Sequence, residues 1–324
     1  MQRPPADADW MAAAIALSRR GRPAAAPNPN VGCLIVKGGM VVGRGWTQRG
    51  GRPHAEAVAL SAAGDAARGA TAYVSLEPCA HASARGPCCT DALIAAGIAR
   101  VVVAAQDPDP RTDGQGIARL RAAEIEVITG VLAAEARAAM ATWWTRQAKG
   151  RAFVTLKLAT SLDGCIAMGD GSSRWITGER ARAHGHLERA QHQAILVGRG
   201  TLAADNASLD VRLAGLEDRS PTKLLLTSGN APDGWTAVAS PDAIDDVDSV
   251  LVEGGAGAAS AFLAADRVDR LLLYRAPILI GGGKPALGDI SLADLADAHG
   301  RWRLTDSRLL GSDRLDVYER VREG

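Results

Sequence analysis

The chain has 324 residues, of which 47% are apolar, so two domains with separate cores are expected. Its formal net charge is +1 and no basic stripe runs along it, which argues against a nucleic-acid-binding surface. The five cysteines are sparse and odd in number, so a reducing, cytoplasmic location is favoured over a disulfide framework. No apolar run is long enough to cross a bilayer, and residues 1–5 do not lead into a signal-peptide core, so no membrane partner is expected.

Helical and strand patterns alternate along the first half of the chain, which predicts helices packed on a sheet. Apolar spacing predicts helices over residues 7–19, 54–63, 88–96, 116–123 and 134–147. Strands are predicted over residues 31–36, 40–46, 70–76, 99–104 and 126–129. The segment 148–151 is the predicted boundary, so the two domains span residues 1–149 and 150–324.

The second half repeats the α/β pattern, starting with a strand over residues 153–158. Helices are predicted over residues 179–192 and 254–265, and further strands over residues 194–197, 222–227, 250–253, 270–274, 303–309 and 314–318. Residues 228–248 are predicted to be the loosest stretch. The run Gly254-Gly255-Ala256-Gly257 opens a helix, where it serves either a pyrophosphate or tight packing, and no G-x-G-x-x-G fingerprint accompanies it.

Two separated segments predict a metal site. His54-Ala55-Glu56 comes first, and Pro78-Cys79 and then Cys88 follow. One histidine and two cysteines supply three zinc ligands, one fewer than a closed structural site needs, so a position stays open for water. Glu56 lies two residues from His54, where its carboxylate can carry protons to and from that water. The pattern is the H-x-E…P-C arrangement of zinc deaminases and predicts hydrolytic deamination.

The alternatives are an unmetallated core and a closed structural zinc site with Cys89 or His81 as the fourth ligand. Adjacent residues at the start of a helix point in different directions, so we expect Cys88 to bind the metal and Cys89 to pack away from it. Glu56 and Pro78 favour the catalytic interpretation over the structural one.

The loop between the two cysteines narrows the class of deaminase. Cytidine and transfer-RNA adenosine deaminases separate these cysteines by two residues, whereas residues 80–87 form a longer loop here. That loop, preceded by Leu76-Glu77-Pro78, resembles the deaminase half of the bifunctional riboflavin biosynthesis deaminase–reductase family. The resemblance continues in the blocks Pro27-Asn28-Pro29-Asn30-Val31-Gly32-Cys33, His54-Ala55-Glu56-Ala57, Asp91-Ala92-Leu93-Ile94-Ala95-Ala96-Gly97 and Gln106-Asp107-Pro108-Asp109-Pro110.

This resemblance implies a cytidine-deaminase-like three-layer αβα fold for the first domain. The implied substrate is a 2,5-diaminopyrimidinone that carries a phosphoribosylamino group. Water would attack its C2 atom, and Glu56 would protonate the ring nitrogen and the departing amine. Asn28 and His81 would contact the pyrimidine or its ribose phosphate. The family's Gly-basic-Thr-Pro-Pro run is replaced here by Ser83-Ala84-Arg85-Gly86-Pro87.

The second half resembles the reductase half of the same family, which has a dihydrofolate-reductase-like α/β fold and uses NADPH to convert the ribosyl group to ribityl. The matching blocks are Leu156-Lys157-Leu158-Ala159-Thr160-Ser161-Leu162-Asp163-Gly164, Trp175-Ile176-Thr177, Gly200-Thr201, Ala204-Asp205, Leu209-Asp210-Val211-Arg212, Val252-Glu253-Gly254-Gly255 and Ala276-Pro277. The resemblance implies substrate contacts from Ser173, Arg189, Leu209, Arg212 and Glu253, with the two arginines on the 5-phosphate. It implies cofactor contacts from Ala159, Trp175, Thr201, Asp205, Ser228 and Gly255.

Two other interpretations of the chain stay open at this point. A nucleic-acid base editor with an accessory domain would need a charged groove and stacking aromatics near the zinc, and neither is visible in the sequence. A deaminase with a degenerate, non-catalytic second domain would lack NADPH binding. The strands near the C-terminus are candidates for a homo-oligomer contact through the reductase domain.

Overall fold

The computed structural model describes residues 6–81, 86–205 and 208–322, without the side chains of residues 204 and 205. Contacts divide the chain into two compact units, with the division between Ala148 and Lys149. Within these residues, no helix is both long and apolar enough to cross a membrane.

The first unit is built on one mixed sheet with the strand order β2-β1-β3-β4-β5. The strand β1 pairs antiparallel with β2 and β3, whereas β3, β4 and β5 are parallel to one another. The elements are α1 (Asp7–Ser18), β1 (Gly32–Lys37), β2 (Met40–Trp46), α2 (Ala55–Ala63), β3 (Thr71–Leu76), α3 (Cys89–Ala95), β4 (Arg100–Ala105), α4 (Gln115–Ala122), β5 (Glu126–Thr129), α5 (Ala133–Ala139) and α6 (Ala141–Lys149).

Helices cover both faces of this sheet, so the unit has three layers. The helices α1 and α5 contact each other on one face, and α2, α3 and α4 follow one another on the opposite face. The helix α2 lies directly against β2 because Gly43 and Gly45 carry no side chain. A Cβ atom on Gly45 would lie 2.2 Å from the carbonyl oxygen of Ala55, and one on Gly43 would lie 2.2 Å from that of Ala59. This close approach sets the position of the N-terminal turn of α2.

The second unit contains an eight-stranded sheet with the order β10-β9-β8-β11-β6-β12-β15-β14, and β13 and β7 form a separate pair. The strands from β10 to β12 are parallel, and β15 and β14 complete the sheet in antiparallel pairing. The elements are β6 (Phe153–Thr160), β7 (Cys165–Ala167), α7 (Glu179–Ala190), β8 (Ala194–Gly198), α8 (Arg199–Asp205), β9 (Thr222–Leu226), β10 (Trp235–Val238), β11 (Ser249–Val252), α9 (Ala256–Ala264), β12 (Arg270–Arg275), β13 (Lys284–Pro285), β14 (Trp302–Leu310) and β15 (Asp313–Arg320).

The central strands of this sheet are buried on both faces, as their continuous apolar runs predict. In β8, Leu196 joins the core cluster that includes Phe262 of α9. Its neighbours Ile195 and Val197 join a second cluster with Leu209. Open parallel sheets covered on both faces bind ligands at the carboxyl ends of their strands, so that edge is where a site is expected.

The predicted alternation of helices and strands is confirmed, with three local differences. The helix predicted over residues 134–147 is two helices, because Met140 leaves the helical conformation at the end of α5. The short elements β7, α8, β10 and β13 were not predicted, and β10 lies in the stretch that we expected to be loosest. The third helix begins at Cys89, one residue later than predicted, and this shift matters for the metal site.

Candidate active sites

Three potential metal ligands converge in the first unit from three different segments. His54 precedes α2, Cys79 follows β3, and Cys89 is the first residue of α3. Their ligand atoms all lie within 4.8 Å of one another. The Nδ1 atom of His54 is 3.2 Å from Cys89 Sγ and 3.6 Å from Cys79 Sγ. One imidazole nitrogen and two sulfurs are donors that zinc prefers, so these residues fit a zinc ion with an open coordination position.

The structure brings Cys89 rather than the predicted Cys88 into this cluster, so Cys88 stays a predicted ligand and Cys89 is the one that we propose below. Cys88 caps the N-terminus of α3, and its thiol donates a hydrogen bond to the carbonyl oxygen of Cys79 at 2.9 Å. The two neighbouring cysteines do point in different directions, but the one that faces His54 is Cys89. We did not single out Cys89 as a ligand from the sequence, because the predicted helix starts at Cys88, one residue before α3.

The described residues contain no fourth histidine, cysteine or carboxylate in the cluster. His81, the other candidate for a fourth ligand, has its Nδ1 atom 3.3 Å from Thr112 Oγ1 instead. The cluster therefore has the three-ligand composition of a catalytic zinc site rather than the four ligands of a structural one.

Glu56 lies in the first turn of α2, and its side chain is buried. Burial raises the pKa of Glu56, the neighbouring His54 lowers it, and Cys79 raises it. The Cys89 thiol donates to Cys79 Sγ, and this hydrogen bond lowers the pKa of Cys79 to about 4 against the effect of burial. The backbone N–H of Cys89 also donates to Cys79 Sγ at 3.3 Å. The lowered pKa favours the thiolate form of Cys79, which is the form that binds metals.

A buried carboxylate supports the loop that carries Cys79. The Oε2 atom of Glu77 accepts hydrogen bonds from the N–H groups of Gly114 at 3.0 Å and Asp107 at 3.3 Å, and Oε1 accepts one from Ile117 at 3.1 Å. The Thr90 hydroxyl donates to the carbonyl oxygen of Cys79 at 3.0 Å. These bonds connect the loop to α3 and α4, so the position of Cys79 does not depend on a metal alone.

Asn28, a predicted substrate contact, lies beside the metal cluster. Its Nδ2 atom donates to the carbonyl oxygen of Gly51 at 3.0 Å and lies 3.1 Å from His54 Nε2. His81 is half-buried two residues after Cys79. The roles of Asn28 and His81 in substrate binding stay predictions. Residues 82–85, which include the altered basic loop, lie outside the described part of the chain.

The second unit contains a cavity of about 1350 Å³ at the carboxyl ends of its parallel strands. This volume exceeds the usual 300–1,000 Å³ of a small-ligand pocket, so it has room for a dinucleotide and a sugar phosphate together. All five predicted substrate residues line it, namely Ser173, Arg189, Leu209, Arg212 and Glu253. Four of the predicted cofactor residues also line it, namely Ala159, Trp175, Thr201 and Gly255.

Two predicted cofactor residues are not placed in the cavity wall. Ser228 is exposed in the turn after β9 and is not among the lining residues. The side chain of Asp205 lies outside what the structure describes. Both assignments stay predictions.

A buried ion-pair network forms the centre of the cavity wall. Glu253 Oε1 is 2.8 Å from Arg189 Nε, and Glu253 Oε2 is 2.9 Å from Arg189 Nη2 and 3.4 Å from Lys157 Nζ. Burial opposes the charge on Glu253, but Lys157 and Arg189 lower its pKa to about 2. Arg189 also donates through Nη1 to the carbonyl oxygen of Asp210 at 3.2 Å. Lys157 is a site residue that we did not single out from the sequence, although a lysine within the apolar strand β6 was a visible signal.

The wall continues to Tyr274, whose ring centroid lies 5.8 Å from Lys157 Nζ. The Tyr274 hydroxyl is 2.7 Å from His184 Nδ1. Burial, together with the nearby Arg308, lowers the pKa of His184 to about 4. His184 is therefore neutral at physiological pH and holds the tyrosine hydroxyl without adding charge to the cavity.

The residues at the start of α9 fit the pyrophosphate of a dinucleotide. Gly254, Gly255, Ala256 and Gly257 line the cavity where the helix begins, and the first N–H groups of a helix lack intrahelical acceptors. The N–H of Gly255 donates to Thr201 Oγ1 at 2.9 Å, which ties this turn to α8. A Cβ atom on Gly257 would meet no atom within 4 Å, so there is room beside it. NADPH therefore fits the donor set and the volume of this cavity.

Comparison with known proteins assigns a family to each unit. Residues 4–105 match the cytidine and deoxycytidylate deaminase zinc-binding region, and residues 152–242 and 243–315 match the RibD C-terminal domain. The chain is 38% identical to the riboflavin biosynthesis protein RibD of Escherichia coli K12, and the alignment covers 95% of this chain and 97% of that protein. It is 39% identical to RibD of Mycobacterium tuberculosis H37Rv, with 89% and 90% covered.

Two solved structures are similar over nearly the whole chain. RibD of Acinetobacter baumannii superposes with a TM-score of 0.83 at 33% identity, covering 98% of this chain and 99% of that one. A Thermotoga maritima protein described as a diaminohydroxyphosphoribosylaminopyrimidine deaminase/5-amino-6-(5-phosphoribosylamino)uracil reductase superposes with a TM-score of 0.85 at 32% identity, covering 97% and 99%. Both units are therefore matched together and in the same order.

Proposed function

The chain belongs to the RibD family of riboflavin biosynthesis proteins, and we propose here which of its residues perform the family's two reactions. The enzyme is bifunctional, with a zinc-dependent deaminase and an NADPH-dependent reductase. It deaminates 2,5-diamino-6-(5-phosphoribosylamino)pyrimidin-4(3H)-one and then reduces the ribosyl side chain, which gives 5-amino-6-(5-phosphoribitylamino)uracil. We assign the first reaction to residues 1–149 and the second to residues 150–324.

In the deaminase, His54, Cys79 and Cys89 hold the zinc. Zinc in such a site acts as a Lewis acid that lets water react as a nucleophile at neutral pH. The Glu56 carboxylate would carry one proton from that water to the ring nitrogen and the second proton, from the hydroxyl group added at C2, to the departing amine, so that ammonia leaves as the C2 carbonyl forms. The observation that supports this assignment is the position of Glu56 in the first turn of α2, directly after the ligand His54 and buried beside both cysteines. Asn28 and His81 orient the pyrimidine.

In the reductase, bound NADPH supplies the hydride to C1′ of the opened sugar. Opening of the sugar breaks the bond between C1′ and the ring oxygen and requires a proton at that oxygen, and we assign the delivery of this proton to the ammonium group of Lys157. Glu253 holds this ammonium in the cavity through the 3.4 Å contact, and Arg189 fixes the carboxylate of Glu253 in turn. Because Arg189 is committed to Glu253 and Asp210, the exposed Arg212 is the better placed of the two predicted arginines to bind the 5-phosphate.

A degenerate second domain is not favoured by these contacts. Such a domain would be expected to lose the cavity or its charged residues, whereas Lys157, Glu253 and Arg189 are present and paired.

We also propose that the enzyme forms a homo-oligomer through its reductase domain. The strand β14 is at the edge of the eight-stranded sheet, and Leu304 and Leu309 on it are 50% and 73% exposed. A long edge strand with exposed apolar residues readily pairs with a second chain. A cytoplasmic location is proposed as well, because the ligating cysteines must stay reduced to hold zinc.

The deaminase assignment is tested by the Glu56→Gln variant loaded with zinc. We expect ammonia release to fall about 10²–10⁴-fold, the usual contribution of a general acid–base group. Zinc content and NADPH oxidation with the deaminated intermediate should match wild type, since Glu56 is neither a ligand nor a residue of the reductase. Unchanged ammonia release would remove Glu56 from the mechanism.

A further inference from the structure

The cationic side chains that line the reductase cavity differ in whether a carboxylate neutralises them. Lys157 and Arg189 both pair with Glu253. Among the residues that the structure describes, Arg182, Arg199, Arg212 and Lys284 line the same cavity without a carboxylate within ion-pair distance. Arg182 donates to the carbonyl oxygen of Thr177 and lies over the ring of Trp175. Unpaired cations in a ligand cavity indicate where anionic groups of a ligand bind. We already assign Arg212 to the sugar phosphate, and Lys284 belongs to the separate strand β13, so Arg199 is the cation that lines the cavity where β8 and β9 end.

Arg199 is oriented by the turn that follows β9. Its Nε atom donates to Thr227 Oγ1 at 2.6 Å, and the same oxygen accepts the N–H of Gly229 at 3.1 Å. A Cβ atom on Gly229 would lie 2.5 Å from Arg199 Nη2, so the guanidinium lies against the backbone of this turn. One edge of the guanidinium is thereby fixed, and its remaining N–H groups are left for a ligand.

The position of Arg199 along the sheet fits the adenosine end of a dinucleotide. Lys157, which we assign to the reacting sugar, and the lining residue Tyr274 belong to the adjacent strands β6 and β12. Arg199 follows β8 and is anchored to the turn after β9, so β11 and β8 separate that turn from β6. At about 4.8 Å per strand, the carboxyl edge from β12 to β9 spans roughly 19 Å, the scale of an extended dinucleotide. The start of α9, which we assign to the pyrophosphate, follows β11 between these two ends.

We infer that Arg199 binds the 2′-phosphate of NADPH and so sets the preference of this enzyme for NADPH over NADH. The inference rests on the proposed binding of the cofactor in this cavity. A guanidinium held by its Nε edge presents two further N–H groups to a phosphate dianion, which NADH lacks. The exposed Ser228, between Thr227 and Gly229, would supply a hydroxyl donor beside it.

The test is equilibrium binding, followed by calorimetry or by nicotinamide fluorescence. Adenosine 2′,5′-bisphosphate and 5′-AMP serve as probes that differ only in the 2′-phosphate, and NADPH and NADH are measured in parallel. We expect Arg199→Ala to weaken binding of NADPH and of the bisphosphate at least tenfold and to change binding of NADH and 5′-AMP less than twofold. Arg199→Lys keeps the charge but loses the forked guanidinium, so its affinity for NADPH and for the bisphosphate should lie between those of wild type and Arg199→Ala. Arg303→Ala removes an equal charge from the exposed face of β14 and should change none of the four affinities.

The outcomes separate this inference from the proposed function. If wild type binds neither NADPH nor NADH, the cofactor assignment of the cavity fails and the inference fails with it. If wild type binds NADPH but Arg199→Ala weakens NADPH and NADH by equal factors, Arg199 acts on a shared part of the cofactor or on the fold, and the 2′-phosphate assignment is wrong. Unchanged affinities in both Arg199 variants would also refute it.

Discussion

Serine substitution of the two adjacent cysteines tests the metal site most sharply, because the structure gives them opposite roles. Cys89 Sγ lies 3.2 Å from His54 Nδ1, whereas Cys88 Sγ is turned to the carbonyl oxygen of Cys79. We predict that Cys89→Ser loses zinc and deaminase activity and that Cys88→Ser keeps both. The two variants remove the same atom from neighbouring positions, so each is the control for the other.

The expected size of the effect follows from the ligand count. Zinc binding in proteins is worth roughly 10–16 kcal/mol, so one of three protein ligands accounts for roughly 3–5 kcal/mol. Loss of that ligand corresponds to a fall in zinc affinity of about 10²–10⁴-fold. In Cys88→Ser the new hydroxyl can donate to the same carbonyl oxygen, so the free energy of unfolding should change by about 1 kcal/mol at most.

The assay measures zinc per chain after dialysis, together with ammonia release from the diaminopyrimidinone substrate. Reduction of the deaminated intermediate by NADPH is an internal control, since it depends on residues of the second unit. It should be equal in wild type and in both variants.

Two results would refute this reasoning. If Cys88→Ser loses zinc while Cys89→Ser keeps it, the ligand is Cys88 and the start of α3 is displaced from where the structure has it. If both variants lose zinc, both cysteines are ligands and the site is closed, which contradicts an open position for water.

A glycine, a carboxylate and a half-buried histidine provide three further predictions. Gly45→Ala displaces the first turn of α2 at Ala55 and should lower ammonia release roughly 10²-fold. Gly43→Ala meets the same helix one turn later, so it should lower the melting temperature and keep more deaminase activity. The reductase rate of each variant is the control for the second unit. The pKa of Glu253 is lowered from 4.5 to about 2, so its charge contributes up to about 3 kcal/mol to the free energy of unfolding above pH 4.5. This contribution is lost as the pH falls towards 2. In urea unfolding, Glu253→Gln should be less stable than wild type by this amount at pH 7 and should approach wild type near pH 2. The pKa of His184 is lowered from 6.5 to about 4, so the protein loses up to about 3 kcal/mol of its free energy of unfolding as the pH falls from 6.5 to about 4. His184→Gln should make this fall smaller. An unaltered pH profile would contradict the burial of this imidazole.

Much of the deaminase site could be predicted from the sequence because its residues are set by local structure. His54 precedes a helix and Glu56 lies in the first turn of that helix, so their separation of two residues already places Glu56 near the ligand His54. Cys79 follows a buried strand, which the apolar run before it indicates. Periodicity and turn chemistry agree at these positions, so the prediction did not depend on long-range packing.

The choice between Cys88 and Cys89 could not be made in the same way. Helix boundaries are poorly determined by sequence pattern, and a shift of one residue at the start of α3 exchanges which thiol faces His54. In the structure, hydrogen bonds across the fold orient the two thiols, since the Cys88 thiol and the Thr90 hydroxyl both bond to the carbonyl oxygen of Cys79.

The reductase cavity also contains contacts that could not be predicted from the sequence. Lys157 lies within an apolar strand, and only the pairing of β6 with β11 brings it beside Glu253. Such partners lie 96 residues apart in the chain, so no local pattern predicts their contact. The free lining cation Arg199 was overlooked for the same reason, because its anchor Thr227 belongs to another strand end.

The central claim is that this one chain carries two separate sites that act in a fixed order. The most direct test follows ammonia and NADPH absorbance together while the zinc-loaded enzyme acts on the diaminopyrimidinone phosphoribosyl substrate. We expect one NADPH to be oxidised per ammonia released, with ammonia appearing first and NADPH oxidation following after a lag. When the deaminated intermediate is supplied instead, NADPH oxidation should start without this lag. NADPH oxidation that precedes ammonia release, or none even with the intermediate present, would contradict it.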